Sequence, residues 1–358
     1  MEETINLALS IIVPVYNVED YIRPCIESIF RQGLDNDCFE VIIVNDGTQD
    51  HSMEVIQDII DQQKNIIVIN QENLGLSLAR NNGISKAKGQ YILMLDSDDL
   101  LIDNSLKPLL EKAIESQVDL VVADFIRMTN EEIINLQTIP QKDFCIQKKT
   151  GEQLFLEDLN PKECYVWHTL YNKNFLIEAN LKFYPNIKYE DIPFTHECYL
   201  KAKQCLRIFW NFYIYRQRSN SITHSFNKEN AIKYCIAISR TMDLTHSNFL
   251  NSAIDHKLRE DMWTSFSFMI RLVCKSIKKD KDRIEIIDYI RKEGKNISFH
   301  NGKRQVIFSF LLHNVPHLFI RLRYFHKIII EDWVLPFYYH HLKEYTHSYQ
   351  SLQKKLFS

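Results

Sequence analysis

The residues best suited to chemistry stand in one short run, Asp96-Ser97-Asp98-Asp99, which puts three carboxylates within four positions. The run follows the apolar segment Tyr91-Ile92-Leu93-Met94-Leu95, so the acids sit where a buried strand leaves the core. Carboxylates this close repel one another unless a cation shares the site. Hard divalent ions such as Mg2+ and Mn2+ take one or two carboxylates and complete their shell with phosphate oxygens. A metal holding a phosphorylated substrate is therefore one reading of the run. The other is an Asp-rich turn before a helix over 104–116, with Asp103 or Asn104 as its N-cap.

Alternating patterns mark the elements that must position these acids. A buried strand over Leu9–Val13 ends at Pro14. A helix capped by Asn17 then carries Tyr21, Ile22, Cys25, Ile26, Ile29 and Phe30 on one stripe and is closed by Gly33. Phe39–Val44 reads as the second strand, followed by a helix starting at Asp50 or Ser52. Ile66–Ile69 is the third strand, a helix with Leu78, Ala79, Ile84 and Ala87 precedes the strand ending at Leu95, and Asp119–Ala123 is the fifth. Strands that are apolar throughout, alternating with helices, predict a doubly wound parallel α/β sheet with helices on both faces. In such sheets ligands bind beyond the carboxyl ends of the strands. Tyr16-Asn17, Asn45-Asp46-Gly47, Gln71-Glu72-Asn73 and Asp96-Ser97-Asp98 each follow a strand, so they share one rim. A random Asp-rich turn predicts no such companions.

Composition narrows the class. With 358 residues, 45% hydrophobic and 25% charged, the chain has ample core material for one large domain and a smaller one. Its 8 cysteines are scattered without close pairing, which argues against a zinc site or a disulfide framework and fits a reducing, cytoplasmic compartment. The acidic start Met1-Glu2-Glu3-Thr4 lacks the basic region of a signal peptide, and no apolar stretch reaches the length of a membrane span. Residues 1–100 hold 17 Asp and Glu against 6 Lys and Arg, a poor surface for nucleic acid. Neither a Gly-rich dinucleotide turn nor a Gly-Lys-Ser/Thr loop follows the first strand, so any phosphate must be met by a metal and basic side chains.

The segments Ser10–Asn17, Val44–Asp50, Asn73–Gly83 and Asp96–Asp99, continued by Tyr189-Glu190-Asp191 and by Tyr215–Thr223, together resemble glycosyltransferase family 2 over about the first 225 residues. The resemblance implies the GT-A fold and inverting transfer of a sugar from a nucleotide donor, UDP above all. It places Pro14, Tyr16, Asn17, Asp46, Arg80, Asp96, Ser97, Arg216 and Arg218 on the donor. Asp46 would accept from the pyrimidine N–H, Arg80 would lie near base and phosphates, and Asp96 would contact the ribose. Asp98 would hold Mn2+ or Mg2+, with His224 as a further ligand or simply a structural histidine, and Asp99 would support. The family often has Asp-Asp-Gly where this chain has Asn45-Asp46-Gly47, so the first acid is missing and Asn45 is given no role. Inversion needs a base opposite the leaving group. The resemblance makes Asp191 that base, with Glu190 orienting it or touching the acceptor; a helix N-cap pair is the plain alternative. Trp167 and His168 would line the acceptor groove, with core packing an equally good account of Trp167.

These expectations divide the chain into a nucleotide-sugar-binding and catalytic domain over 1–225 and a helical region over 226–358. The latter starts near Asn227, carries Trp263, Phe266, Met269, Ile270 and Val273 on one stripe, and has a charged loop near Lys278–Arg283. Between Gly294 and Ile330 there is no acid, while six Lys and Arg alternate with apolar and aromatic residues. That tail suits an interfacial helix on an anionic membrane, a core helix, or the surface of a homodimer. The expected enzyme transfers sugar to a hydroxyl of a glycan or lipid-linked oligosaccharide of a bacterial surface polysaccharide. It is expected in the cytoplasm, with a peripheral place at the inner face of the plasma membrane suiting the tail. A nucleotidyltransferase would want a Gly-rich basic signature near the N-terminus, which is absent. A non-catalytic sugar-nucleotide-binding or scaffolding protein would not need Asp96, Asp98 and Asp191 intact.

Overall fold

The structure, a computed structural model, describes residues 7–135, 139, 143–218, 226–246 and 251–293. Its first half alternates β1 (Leu9–Val15), α1 (Ile22–Ile29), β2 (Phe39–Asn45), α2 (Gln57–Gln62), β3 (Ile66–Asn70), α3 (Leu76–Lys86) and β4 (Tyr91–Met94). There follow β5 (Leu100–Leu101), α4 (Leu106–Ser116), β6 (Leu120–Thr129), α5 (Asn130–Ile134), β7 (Cys145–Lys149), α6 (Gly151–Gln153), β8 (Thr169–Asn172), α7 (Lys173–Glu178), α8 (Asp191–Lys201) and β9 (Cys205–Gln217). Three helices close the described chain, α9 (Lys228–Met242), α10 (Ser252–Ser276) and α11 (Asp280–Glu293).

Strands run in the order β3-β2-β1-β4-β8-β6-β9-β5, with β7 on β9. The parallel run expected of the first hundred residues is present as β3-β2-β1-β4. Beyond it the sheet is mixed: β8 enters antiparallel between β4 and β6, and β6 pairs parallel with β9. Alternate residues of β1 and β2 feed two cores on opposite faces, as pleating requires. Ile12, Ile42 and Val44 join one cluster; Ile11, Val13, Val41 and Ile43 join the other. Helices α1 and α4 cover the second, whereas α3, α8 and the C-terminal helices α9–α11 share the first. Helix α3 lies close on β1, because a Cβ at Gly83 would stand 2.4 Å from Ile12 Cγ2.

Several helix starts differ from expectation. Asn17 does not cap α1, which begins at Ile22 without a side-chain cap. At φ 53° it turns its Oδ1 to accept from Gln49 N at 3.0 Å, pinning the loop after β1 to the loop after β2. Asp103 pairs instead with Arg31, and the first N–H of α4, from Leu106, is met by Gln32 Oε1 at 3.0 Å. A cap supplied from the segment after α1, far away in the chain, leaves no local sequence signature. The charged segment near Lys278 is a short link, with Arg283 already inside α11 and bonded back to Ile277 O.

Candidate active site

Four strand ends converge on one rim, as α/β sheets require. Pro14 is buried within β1, while Tyr16 after it is 43% exposed. Asp46, at the end of β2, is buried. It accepts from Gln71 Nε2 at 2.7 Å, Leu74 N at 2.8 Å and Gly75 N at 2.9 Å, and so shapes the loop before α3. A carboxylate offers about four acceptor positions, which leaves room for one further donor.

The three acids after β4 have separate surroundings. Asp99 is buried and anchors the run to β9, accepting from Tyr213 Oη at 2.7 Å and Arg216 N at 2.8 Å. Asp98 pairs through Oδ2 with Arg218, and its carbonyl accepts from Arg216 Nε at 2.7 Å. Arg216 and Arg218 share a face, both lying over the ring of Tyr21 at 5.2 and 4.9 Å. Burial, then the neighbouring acids, pushes the carboxyls of Asp98 and Asp99 above the usual range. Ser97 is buried beside them.

Asp96 faces the other way. Its Oδ1 accepts from Arg80 Nη2 at 2.8 Å, while Arg80 Nη1 donates to Glu190 Oε1 at 2.8 Å and Asp191 Oδ1 at 2.6 Å. Arg80 was expected beside the donor's base and phosphates; it lies beneath the rim, 1% exposed, with Phe183 against its guanidinium. Three acids from two distant segments draw it inward, and one cation thereby joins the β4 acids to the start of α8. Asp191 opens α8, while Glu190 before it makes no side-chain cap and turns instead to Arg80. The Asp191 carboxyl, 20% exposed, is pushed up to about 7 by burial and by the charges of Glu190 and Asp96, against the pull of Arg80.

Two expectations resolve into packing. Trp167 is buried and stacks on Tyr213 at 4.1 Å and Tyr165 at 4.7 Å, so it belongs to the core and not to a groove. His168 is buried beside it, and burial pushes its imidazole down to about 4. His224 and the basic, aromatic tail lie outside the described residues. Sequence reasoning missed Tyr21, read only as a helix-stripe residue, and Tyr213, one ring in an aromatic run. The alternation of β9 places Tyr213 and Tyr215 on one face, which is the signal that could have marked the former.

Among the described residues no three His, Cys, Asp or Glu side chains gather as a closed metal cage. Asp98 alone of the run still fits a hard cation, since Asp96 is turned to Arg80, Asp99 to β9, and such ions need only one or two carboxylates beside phosphate.

The sequence profile "Glycosyl transferase family 2" matches residues 10–175. The glycosyltransferase EpsJ of Bacillus subtilis is 37% identical over 217 residues, covering 60% of this chain and 62% of that protein, so the chain spans somewhat under two thirds of that relative. A glycosyltransferase of Haemophilus influenzae is 32% identical over 201 residues, covering 55% of this chain and 74% of that one. Staphylococcus aureus TarS 1–349, solved in complex with UDP-GlcNAc, superposes with a TM-score of 0.66 over 88% of this chain and 89% of its own, at 20% identity. The likeness to TarS extends through the curled sheet into the C-terminal helices and shows the GT-A type of fold. On its sequence profile and its sequence relatives, the chain belongs to glycosyltransferase family 2.

Proposed function

We propose that the protein transfers a sugar, with inversion, from a nucleotide diphosphate donor, most simply a UDP-sugar, to a hydroxyl of a glycan or lipid-linked oligosaccharide in bacterial surface polysaccharide synthesis. One observation carries the reading: a single buried Arg80 joins Asp96, on the donor rim, to Asp191, a carboxyl poised near neutrality. A base useful at neutral pH needs such a pKa. Asp191 takes the proton of the acceptor hydroxyl as its oxygen bonds to the anomeric carbon, and the bond from that carbon to the phosphate oxygen breaks, releasing UDP. Glu190 and Arg80 orient Asp191. Asp98 would hold Mn2+ or Mg2+, which when bound neutralises charge on the departing diphosphate. Arg218, and Arg216 behind it, set the position of Asp98 and add positive charge at the same place. Tyr16 and Asp46 border the place for the base.

The lipid-linked acceptor and a peripheral place at the inner membrane face are part of this proposal. They rest on the basic tail; among the described residues no helix is long and apolar enough to cross a membrane.

The test pairs two variants in a UDP-release assay with Mn2+ across a panel of UDP-sugars. Asp98→Ala should weaken UDP binding and abolish release. Asp191→Asn should lower turnover by about 10²–10⁴-fold, the range for loss of a general base, while UDP affinity holds. Full turnover in Asp191→Asn would exclude Asp191 as the base.

A further inference from the structure

The residue immediately before the acidic pair, Tyr189, has φ 63°, in the left-handed region that bulky side chains seldom adopt. Its carbonyl accepts from Ile192 N at 3.1 Å, so this turn sets the direction in which α8 starts. Backbone strain of this kind persists only where the surroundings over-determine it. The surroundings here are α9. The ring of Tyr189 lies flat on that of Tyr234, with centroids 3.9 Å apart and planes 21° from parallel. Tyr234 is itself buried, in the cluster that takes Phe194, Cys198 and Tyr199 from α8. The hydroxyl of Tyr189 is buried without a hydrogen-bond partner among the described residues, so the stack and not the polar end holds this ring. A second link ties the same helix to α10, where Asp261, paired with Lys257, lies 3.6 Å from His196 Nε2.

We propose that Tyr234 is a positioning residue: by holding the ring of Tyr189 it fixes the left-handed turn that brings Glu190 and Asp191 onto the same nitrogen of Arg80. The C-terminal helices thereby set the geometry of the active site, although Tyr234 touches no reacting group. The inference rests on the reading of Asp191 as base. Freed of the stack, the turn relaxes towards ordinary φ and rotates the peptides that carry both acids. A displacement of about 1 Å at a reacting group costs up to about 100-fold in rate.

The test measures UDP release from whichever of UDP-glucose, UDP-galactose, UDP-N-acetylglucosamine and UDP-N-acetylgalactosamine the wild-type enzyme turns over fastest with Mn2+. Rates are expressed per UDP-binding site, so that unfolded protein does not count. Tyr234→Leu keeps the site filled but removes the stack; kcat should fall about 10–100-fold with UDP affinity unchanged. Tyr234→Phe should restore kcat, and Tyr189→Phe, which removes only the orphan hydroxyl, should leave it at the wild-type level. If Tyr234→Leu does not fold, Tyr189→Leu asks the same question from the partly exposed side of the stack. Wild-type kcat in the leucine variant that folds, or a loss that follows UDP affinity, overturns the inference. If Asp191→Asn also keeps full turnover, the base assignment falls as well; if Asp191→Asn is inactive while the leucine variants are normal, the positioning role alone falls.

Discussion

Replacing Arg80 by Met keeps much of the volume and removes the cation that three carboxylates share. Arg80 is buried, with partners at 2.6, 2.8 and 2.8 Å whose side chains are 20%, 9% and 26% exposed. Removing one partner of a buried ion pair costs about 3–5 kcal/mol, chiefly because the remaining charge is left uncompensated. Water reaching Asp96 and Asp191 keeps the loss from scaling with the number of acids, so about 3–5 kcal/mol is expected for the whole cluster at pH 8.5. The pH dependence is the sharper part. Arg80 draws the Asp191 carboxyl down, so without it the group is raised further above about 7. The folded variant then holds an extra proton over a range above pH 7 where neither the unfolded chain nor the wild-type fold does. Unfolding free energy falls with pH wherever the folded state binds more protons, by about 1.4 kcal/mol per pH unit per proton. The variant therefore loses ground on the wild type as pH rises through and beyond 7, and recovers part of it at pH 6. Urea unfolding of both proteins at pH 6 and 8.5 measures this directly. A deficit below about 1 kcal/mol at pH 8.5, or one that grows towards pH 6, would refute the idea that Arg80 holds these acids together.

Other outcomes follow from the same geometry. The rate of UDP release should show an acidic limb near pH 7, where Asp191 loses its proton, and Asp191→Asn should abolish that limb; a flat wild-type profile from pH 5.5 to 8 counts against the base. Gly83→Ala should destabilise by about 1–3 kcal/mol despite the helix preference for Ala, because the new methyl meets Ile12 at 2.4 Å; a raised melting temperature would show that α3 can move away from β1. Tyr213→Phe removes one of the two donors of buried Asp99 and should cost about 1–3 kcal/mol in thermal unfolding, with UDP affinity falling as the acidic run loosens; unchanged stability would mean that Arg216 N alone holds Asp99.

The shared rim of the strand ends was readable because it depends on local signals. Apolar runs such as Phe39–Val44 end in polar clusters, and strand ends in an α/β sheet share a rim whatever the loops contain. The resemblance set Asp99 apart from the other two acids, and the structure turns it to β9, accepting from Tyr213 Oη and Arg216 N. The insertion of β8 between β4 and β6 was not, because Thr169–Asn172 is too short for periodicity to show its direction. The place of Arg80 was equally hidden. An Ala-Arg-Asn segment on a helix looks the same whether its guanidinium meets a phosphate or is drawn down by Glu190 and Asp191, 110 and 111 residues away. The left-handed turn at Tyr189 has no marker in the sequence, since a Gly or Asn there would have announced it and a tyrosine does not.

The shared guanidinium has a consequence for the order of events during turnover. Asp96, proposed to meet the donor, and Asp191, the proposed base, draw on one positive charge, so a ligand that takes up the charge of Asp96 would leave Arg80 to the two acids at the start of α8. Occupancy on one side then changes how readily Asp191 gives up its proton on the other. Linkage makes this reciprocal, so UDP affinity should vary with pH across the range in which Asp191 ionises, and should cease to vary in Asp191→Asn. A titration calorimeter reads both curves; parallel curves for the two proteins would dissolve the coupling. The charge of a loaded donor would in this view be felt at the base through the shared guanidinium.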